Sequence, residues 1–290
     1  MNKKQRLILV GLLLGLSLGG LFFLLKAQHS QVTQTKNTRI ITTTTAMTQV
    51  FSALDIPLVG VPTANKLSEL PVKMRKLPKV GNHIAVNFEK IVALKPSVVY
   101  VDQALTDDYR TKLQAQHIKM VTLDFTNYGT LKQSITQLGQ QYQRVAKAQA
   151  LISHIKLKSV NVSKKPKVLI LMGMPGGGFL TMNAHSYIGD LVTRAGGQVV
   201  GANQQSLYGT PSTEKIVKAN PDIIIRLAHA MPSEVKANFN ATFAKAPYAN
   251  LQAVKSKHVY DVTAPVFSPT ANLKVKQAYQ QIKEWLAQVE

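Results

Sequence analysis

The sequence predicts an α/β protein of two Rossmann-like lobes joined by one long α-helix, with an N-terminal transmembrane helix ahead of them. Three observations lead there. Glu-Lys-Ile-Val occurs twice, 125 positions apart, as Glu89 to Val92 and Glu214 to Val217, each with a proline and an apolar run behind it (Pro96 with Val98 to Val101, Pro221 with Ile223 to Ile225). Asn87 and Ser212 stand two residues before the glutamates, where a side chain caps a helix, and each glutamate suits the positive end of the dipole. So distant a repeat points to duplicated α/β halves, because solenoid periods run at about 20 to 50 residues. Second, strand-like and helix-like segments alternate on both sides of the chain's middle, as in mostly parallel sheets covered by helices. Third, about thirty proline-free residues between the halves carry Leu131, Ile135, Leu138, Tyr142, Val145 and Ile152 at helical spacing, broken only by Gly139.

The organisation expected is an anchor or signal over 1–26, a linker over 27–38, a first lobe over 39–128, a bridging helix over 129–162 and a second lobe over 163–290. Three basic residues within Met1 to Arg6 precede an uncharged, mostly apolar stretch from Leu7 to Leu25, just long enough to span a bilayer. A cleaved secretory signal is the alternative, and either reading exports the body. The next residues, rich in Gln, Thr, Ser and Asn, read as a tether.

In the first lobe Arg39 to Thr42 reads as a strand, Ala46 to Leu54 as a helix and Pro57 to Val61 as a second strand. A basic, proline-punctuated loop spans Thr63 to Pro78; Val98 to Val101 and Met120 to Leu123 are further strands around a helix from Asp107 to Gln116. In the second lobe strand Val168 to Met172 runs into the glycine-rich loop Gly173 to Gly178, and helix Ser186 to Ala195 closes on Gly196-Gly197. Strand Ile223 to Leu227, an extended Val259 to Val262 and a helix from about Thr270 to Val289 follow. A cleft between two such lobes is where a ligand is expected.

The net charge is +21 and there is no cysteine, which removes disulfides, thiolate metal sites and a cysteine nucleophile. An exported body argues against nucleic acid; anionic headgroups, wall polymers or a solvated surface without a specific partner account for the charge. The glycine loop lacks a phosphate-loop ending and the dinucleotide fingerprint, so it is a turn or, alternatively, faces an anion with its amides. No nucleophile elbow is present and the carboxylates are scattered, so no enzyme is required. Two of the seven histidines differ from the rest. His229 directly follows the strand Ile223 to Leu227, where parallel strands aim side chains into a crevice, and His83 precedes the capping Asn87 in the other lobe. They are either hydrogen-bonded structural residues or a ligand pair across the cleft.

Five stretches carry a resemblance over nearly everything after Arg39: Lys167 to Gly173, Ser186 to Val192, Asn220 to Ile224, His229 to Pro232, and Ser134 to Gly139. With these the chain resembles substrate-binding proteins of the helical-backbone class, which serve haem, cobalamin and siderophore importers, and within it the haem receptors of iron-regulated surface determinant systems. The resemblance implies haem as the transported ligand, His229 as axial ligand from the second lobe, and delivery to an ABC permease through Glu89 and Glu214. It implies upstream haem-relay surface proteins as further partners. The family's methionine ligand matches Ile84, which cannot coordinate iron. Three outcomes remain: His83 replaces the methionine, the iron is five-coordinate, or the ligand is a siderophore or cobalamin. Thr43, Thr44, Gly173, Met174, Tyr187 and Met231 are expected in the ligand cleft, with Lys66 or Lys73 as candidates to meet propionates. The family's anchoring cysteine is absent, which leaves tethering to Leu7 to Leu25. An exported enzyme or a wall-associated protein is the reading from a different class.

Overall fold

Short buried apolar runs, each ended by a turn or a capped helix, make the strands of two separate sheets. The computed structural model describes residues 38–83, 85–160 and 164–289, so the anchor expected over 1–26 and nearly all of the linker lie outside the described residues. Among the described residues no helix is long and apolar enough to cross a membrane.

The first sheet contains β1 (Ile40–Thr42), β2 (Val98–Asp102) and β3 (Met120–Leu123), all parallel, in the order β1-β2-β3. Helix α1 (Thr45–Ala53) starts at Thr44, whose Oγ1 accepts the Met47 N–H, and buries Met47, Val50 and Phe51. Helices α2 (Phe88–Ala93) and α3 (Thr106–Ala115) complete this half. The strand expected over Pro57 to Val61 is reduced to isolated bridges, Ile41 with Gly60 and Val61 with Lys79. Pro57 and Pro62 bracket it and supply no N–H to a ladder.

The single bridging helix is corrected to two, α4 (Tyr128–Gln141) and α5 (Val145–His154). The break lies where Gln143 takes φ 54° and the Arg144 N–H returns to the Gly139 carbonyl. Gly139 is the reason the helices pack so closely: a Cβ there would stand 2.5 Å from the Ala148 Cβ.

The second sheet runs β7-β5-β4-β8-β9, with β6 paired to β4. It contains β4 (Lys167–Gly173), β5 (Phe179–Met182), β6 (Gln198–Val199), β7 (Tyr208–Gly209), β8 (Ile223–Ala228) and β9 (Val259–Thr263). Strands β4, β6, β8 and β9 are parallel, whereas β5 and β7 are antiparallel additions that the sequence reading missed. The helices are α6 (Tyr187–Arg194), α7 (Thr213–Ala219), α8 (Pro232–Phe243), α9 (Gln252–Lys255) and α10 (Val275–Leu286). Helix α10 is shorter than the Thr270 to Val289 expected, because 264–272 forms a loop with two prolines. One continuous apolar core draws on both sheets, from Ile40, Phe51 and Tyr100 through Leu131 and Ile135 to Ile170, Leu227 and Trp285.

The repeated tetrapeptide forms α2 and α7 as the spacing predicts. Asn87 Oδ1 accepts the Lys90 N–H at 2.8 Å and Ser212 Oγ the Lys215 N–H at 3.3 Å. Each helix closes with a left-handed residue, Lys95 (φ 45°) or Asn220 (φ 41°), just before its proline. The isoleucines, Ile91 and Ile216, are fully buried.

In a continuous exposed helix, Gly139→Ala would stabilise by up to about 1 kcal/mol. Against the Ala148 contact it should instead destabilise by about 1–3 kcal/mol, read from urea denaturation.

Candidate functional site

The carboxyl-terminal ends of β1, β2 and β8 open on a cavity of about 300 Å³. Thr43, Thr44 and Thr45, at the junction of β1 with α1, form one wall, and Asp102 closes the end of β2. Opposite them stand Met172 on β4, Tyr208 on β7, His229 beyond β8 and the 264–272 loop, in which Ser268, Thr270 and Asn272 face the space. Parallel strands leave their helix-bound connections at this end, so side chains there converge on a crevice.

His229 and His83 meet in this cavity. Their Nε2 atoms are 2.9 Å apart, with ring centroids 4.6 Å apart and planes inclined by 31°. At that distance one ring donates and the other accepts, which requires the accepting ring to be neutral. Burial, and secondarily the neighbouring His83, hold His229 down at about 4; burial also lowers His83, opposed by the charge of Asp108. Neutral imidazole is the ligating form. The strand behind His229 is stiff, because Arg226 on β8 makes a bidentate pair with Asp261 on β9 at 2.7 and 2.8 Å and also reaches Asn240 on α8. His83 sits in the irregular turn that follows Gly81, whose φ is 86°.

No group of three or more His, Cys, Asp or Glu among the described residues is arranged to hold a metal ion. An imidazole pair alone makes a poor cage for a bare cation, since such sites take four to six protein or water donors. It suits a metal that arrives with its equatorial positions already filled. Two imidazoles on one metal at about 2.0 Å each need Nε2 atoms about 4 Å apart, so admitting it requires the rings to part by about 1 Å.

Of the residues expected in the cleft, Thr43, Thr44, His83 and His229 are brought together. Tyr187 is not: it lies fully buried on α6 among the core residues Ile188 and Leu191, and burial pushes its phenol far up. Gly173 packs under α8, where a Cβ would meet Val235 at 2.2 Å. Met174 belongs to the hairpin between β4 and β5, with its amide bonded to the Gly178 carbonyl, and Gly176 N–H is taken by Glu234 at 2.7 Å, so this loop is a turn and offers no anion site. Met231 is exposed at φ 45°, heading α8, and is not part of the cavity wall. Lys73 is bound to Asp55, which also holds Lys147, and neither Lys73 nor Lys66 lines the cavity. Glu89 and Glu214 stand exposed in the first turns of α2 and α7.

Sequence reasoning missed Met172, Asp102, Tyr208 and the 264–272 loop. Only Asp102 carried a local signal, a carboxylate ending an otherwise apolar strand. Tyr208 lies on a short strand with no periodicity, and the loop reaches the cavity through long-range packing.

Two sheets sharing one strand-end cavity, with an imidazole from each side meeting across it, define an α/β ligand-binding protein. The chain belongs to the periplasmic binding protein family, whose model matches residues 40–266. It is 37% identical over 264 residues to the high-affinity heme uptake system protein IsdE of Staphylococcus aureus strain Newman, covering 88% of this chain and 89% of that one. Among solved structures it resembles S. aureus IsdE complexed with heme, with TM-score 0.80, 37% identity, and 86% and 99% of the two chains covered. An ABC transporter substrate-binding protein from Listeria monocytogenes EGD-e matches with TM-score 0.79 and 35% identity, over 87% and 100%. Periplasmic heme-binding protein HutB of Vibrio cholerae shares the fold at TM-score 0.68 and 22% identity.

In a proton NMR titration the His229 ring should titrate near pH 4 rather than 6.5. Between those values the unfolded chain binds more protons than the folded one. The part of folding stability that His229 controls should therefore be full above pH 6.5 and decline as pH falls through about 4, measured as the difference in thermal denaturation between wild type and His229→Gln.

Proposed function

We propose that this chain captures haem in the cavity between its two sheets and hands it to the permease of an ABC importer, binding without turnover. The observation that carries this reading is the neutral His83–His229 pair at 2.9 Å, one ring from each half. A porphyrin fills the equatorial plane of its iron, so two axial imidazoles complete the coordination. His229 then ligates from the stiff end of β8, and His83 takes the role for which the family resemblance offers only Ile84. The likeness to S. aureus IsdE, which has been solved in complex with heme, supports haem over siderophore or cobalamin.

In the same reading Glu89 and Glu214 are the permease-docking groups, equivalent by the repeat that places each in a capped first turn. The apolar segment Leu7 to Leu25 tethers the body outside the cell membrane, with 27–38 as its linker, 39–128 and 163–290 as the lobes and 129–162 as the connection. Thr43 and Thr44 line the ligand cleft. Surface proteins upstream supply the haem.

Haem added to the purified protein should give a Soret band with six-coordinate, bis-imidazole character. His229→Ala should weaken binding by more than the roughly 10–100-fold that follows loss of a residue merely supporting a metal ligand. His83→Ala should leave a five-coordinate spectrum, and an unaltered spectrum in both variants would refute the assignment. Replacing both Glu89 and Glu214 by Ala should cut permease-coupled haem uptake by about tenfold while leaving haem affinity unchanged.

A further inference from the structure

Beyond the imidazole pair, the cavity holds one buried acid whose second oxygen is unused. Asp102 is only 2% exposed; its Oδ1 accepts the Ala104 N–H at 3.0 Å, while Oδ2 is buried with no hydrogen-bond partner. A buried carboxylate oxygen without a partner is costly, and a site that keeps one in its ligand cavity points to the ligand as the partner. Among the described residues the cavity wall contains neither lysine nor arginine, although the chain as a whole carries +21.

We propose that Asp102 meets the ligand as a neutral acid, donating the hydrogen on Oδ2 to a carboxylate of the ligand, so that each capture carries one proton with it. This rests on the haem reading, since the two propionates are the polar side groups that haem presents. The surroundings favour the neutral form. Glu69, His83, His229 and the phenol of Tyr208 line the same cavity, and Asp124 acts on Asp102 from beyond β3. Burial first, and the Asp124 charge with it, raise Asp102 to about 6 against the opposing Ala104 N–H. Tyr208 is raised to about 12, mainly by burial and also by Asp102, so it stays protonated. Two carboxyl groups held together share a proton rather than ionise together, and a carboxylic acid kept neutral in a protein site can donate a hydrogen bond.

The test is a set of haem titrations, followed at the Soret band from pH 5.5 to 8.0, for the wild type and Asp102→Asn, with calorimetry at pH 7.5 in buffers of different ionisation enthalpy. Wild-type affinity should fall by about tenfold per pH unit above pH 6, one proton's worth of linkage, and calorimetry should show uptake of one proton more than in the variant. Asp102→Asn keeps an acceptor for Ala104 and should bind with that slope removed. Folding of the variant is checked without ligand. A raised Asp pKa makes the Asp102 contribution to stability fall as pH rises from 3.8 through about 6, so the variant should melt higher than wild type at pH 7.5. Equal pH slopes in the two proteins, or no proton uptake by the wild type, overturn the inference while leaving the haem reading intact. Absence of a Soret response in the wild type at every pH overturns both.

Discussion

The contact between the rings of His83 and His229 is the constraint on which the rest of the site depends. The rings come from different halves and reach the same point, His229 from beyond the end of β8 and His83 from the turn after Gly81, and burial favours the neutral form of both. The shared core makes that possible. Packing that runs from Ile40 and Phe51 through α4 to Ile170 and Trp285 fixes the two sheets against one another, so their strand ends face a common space. Burial there does the electrostatic work as well, since the desolvation that lowers both histidines keeps their nitrogens available to a metal.

What could be read from the residues alone was what depends on near neighbours. Asn87 and Ser212 cap their helices, Ile91 and Ile216 are buried, and His229 lies at a strand end, because capping, helical spacing and strand direction act over a few residues. The bridging helix failed on a point that periodicity cannot register. Apolar spacing continues through Tyr142 and Val145, yet Gln143 turns left-handed and Gly139 lets α5 close onto α4. Tyr187 misled for a related reason: its phenol suggests a polar site, while its place at the start of α6 sends the ring into the core. The antiparallel strands β5 and β7 are too short to announce themselves, and with them went Tyr208. Asp102 was visible in the sequence and was passed over, because its burial depends on packing that a strand's own residues do not announce.

The charge distribution runs opposite to the composition. A chain with 35 basic and 14 acidic residues has, among the described residues, a cavity wall with threonine, asparagine and two acids and with neither lysine nor arginine. The cations spend themselves elsewhere: Lys73 and Lys147 on Asp55, Arg194 on Asp190, Arg226 on Asp261. A net positive charge gives a long-range field that favours the approach of an anion, while the described cavity wall offers hydroxyl, amide, imidazole and carboxyl groups at short range.

The Arg226–Asp261 clamp gives the two sides of the cavity unequal compliance. It ties β8 to β9 three residues before His229, while His83 rides on a turn joined to the first sheet's surroundings by isolated bridges. On the bis-imidazole proposal, widening the gap by about an ångström would displace the His83 turn rather than the clamped end of β8. Compliance on one side alone would give unloading a direction.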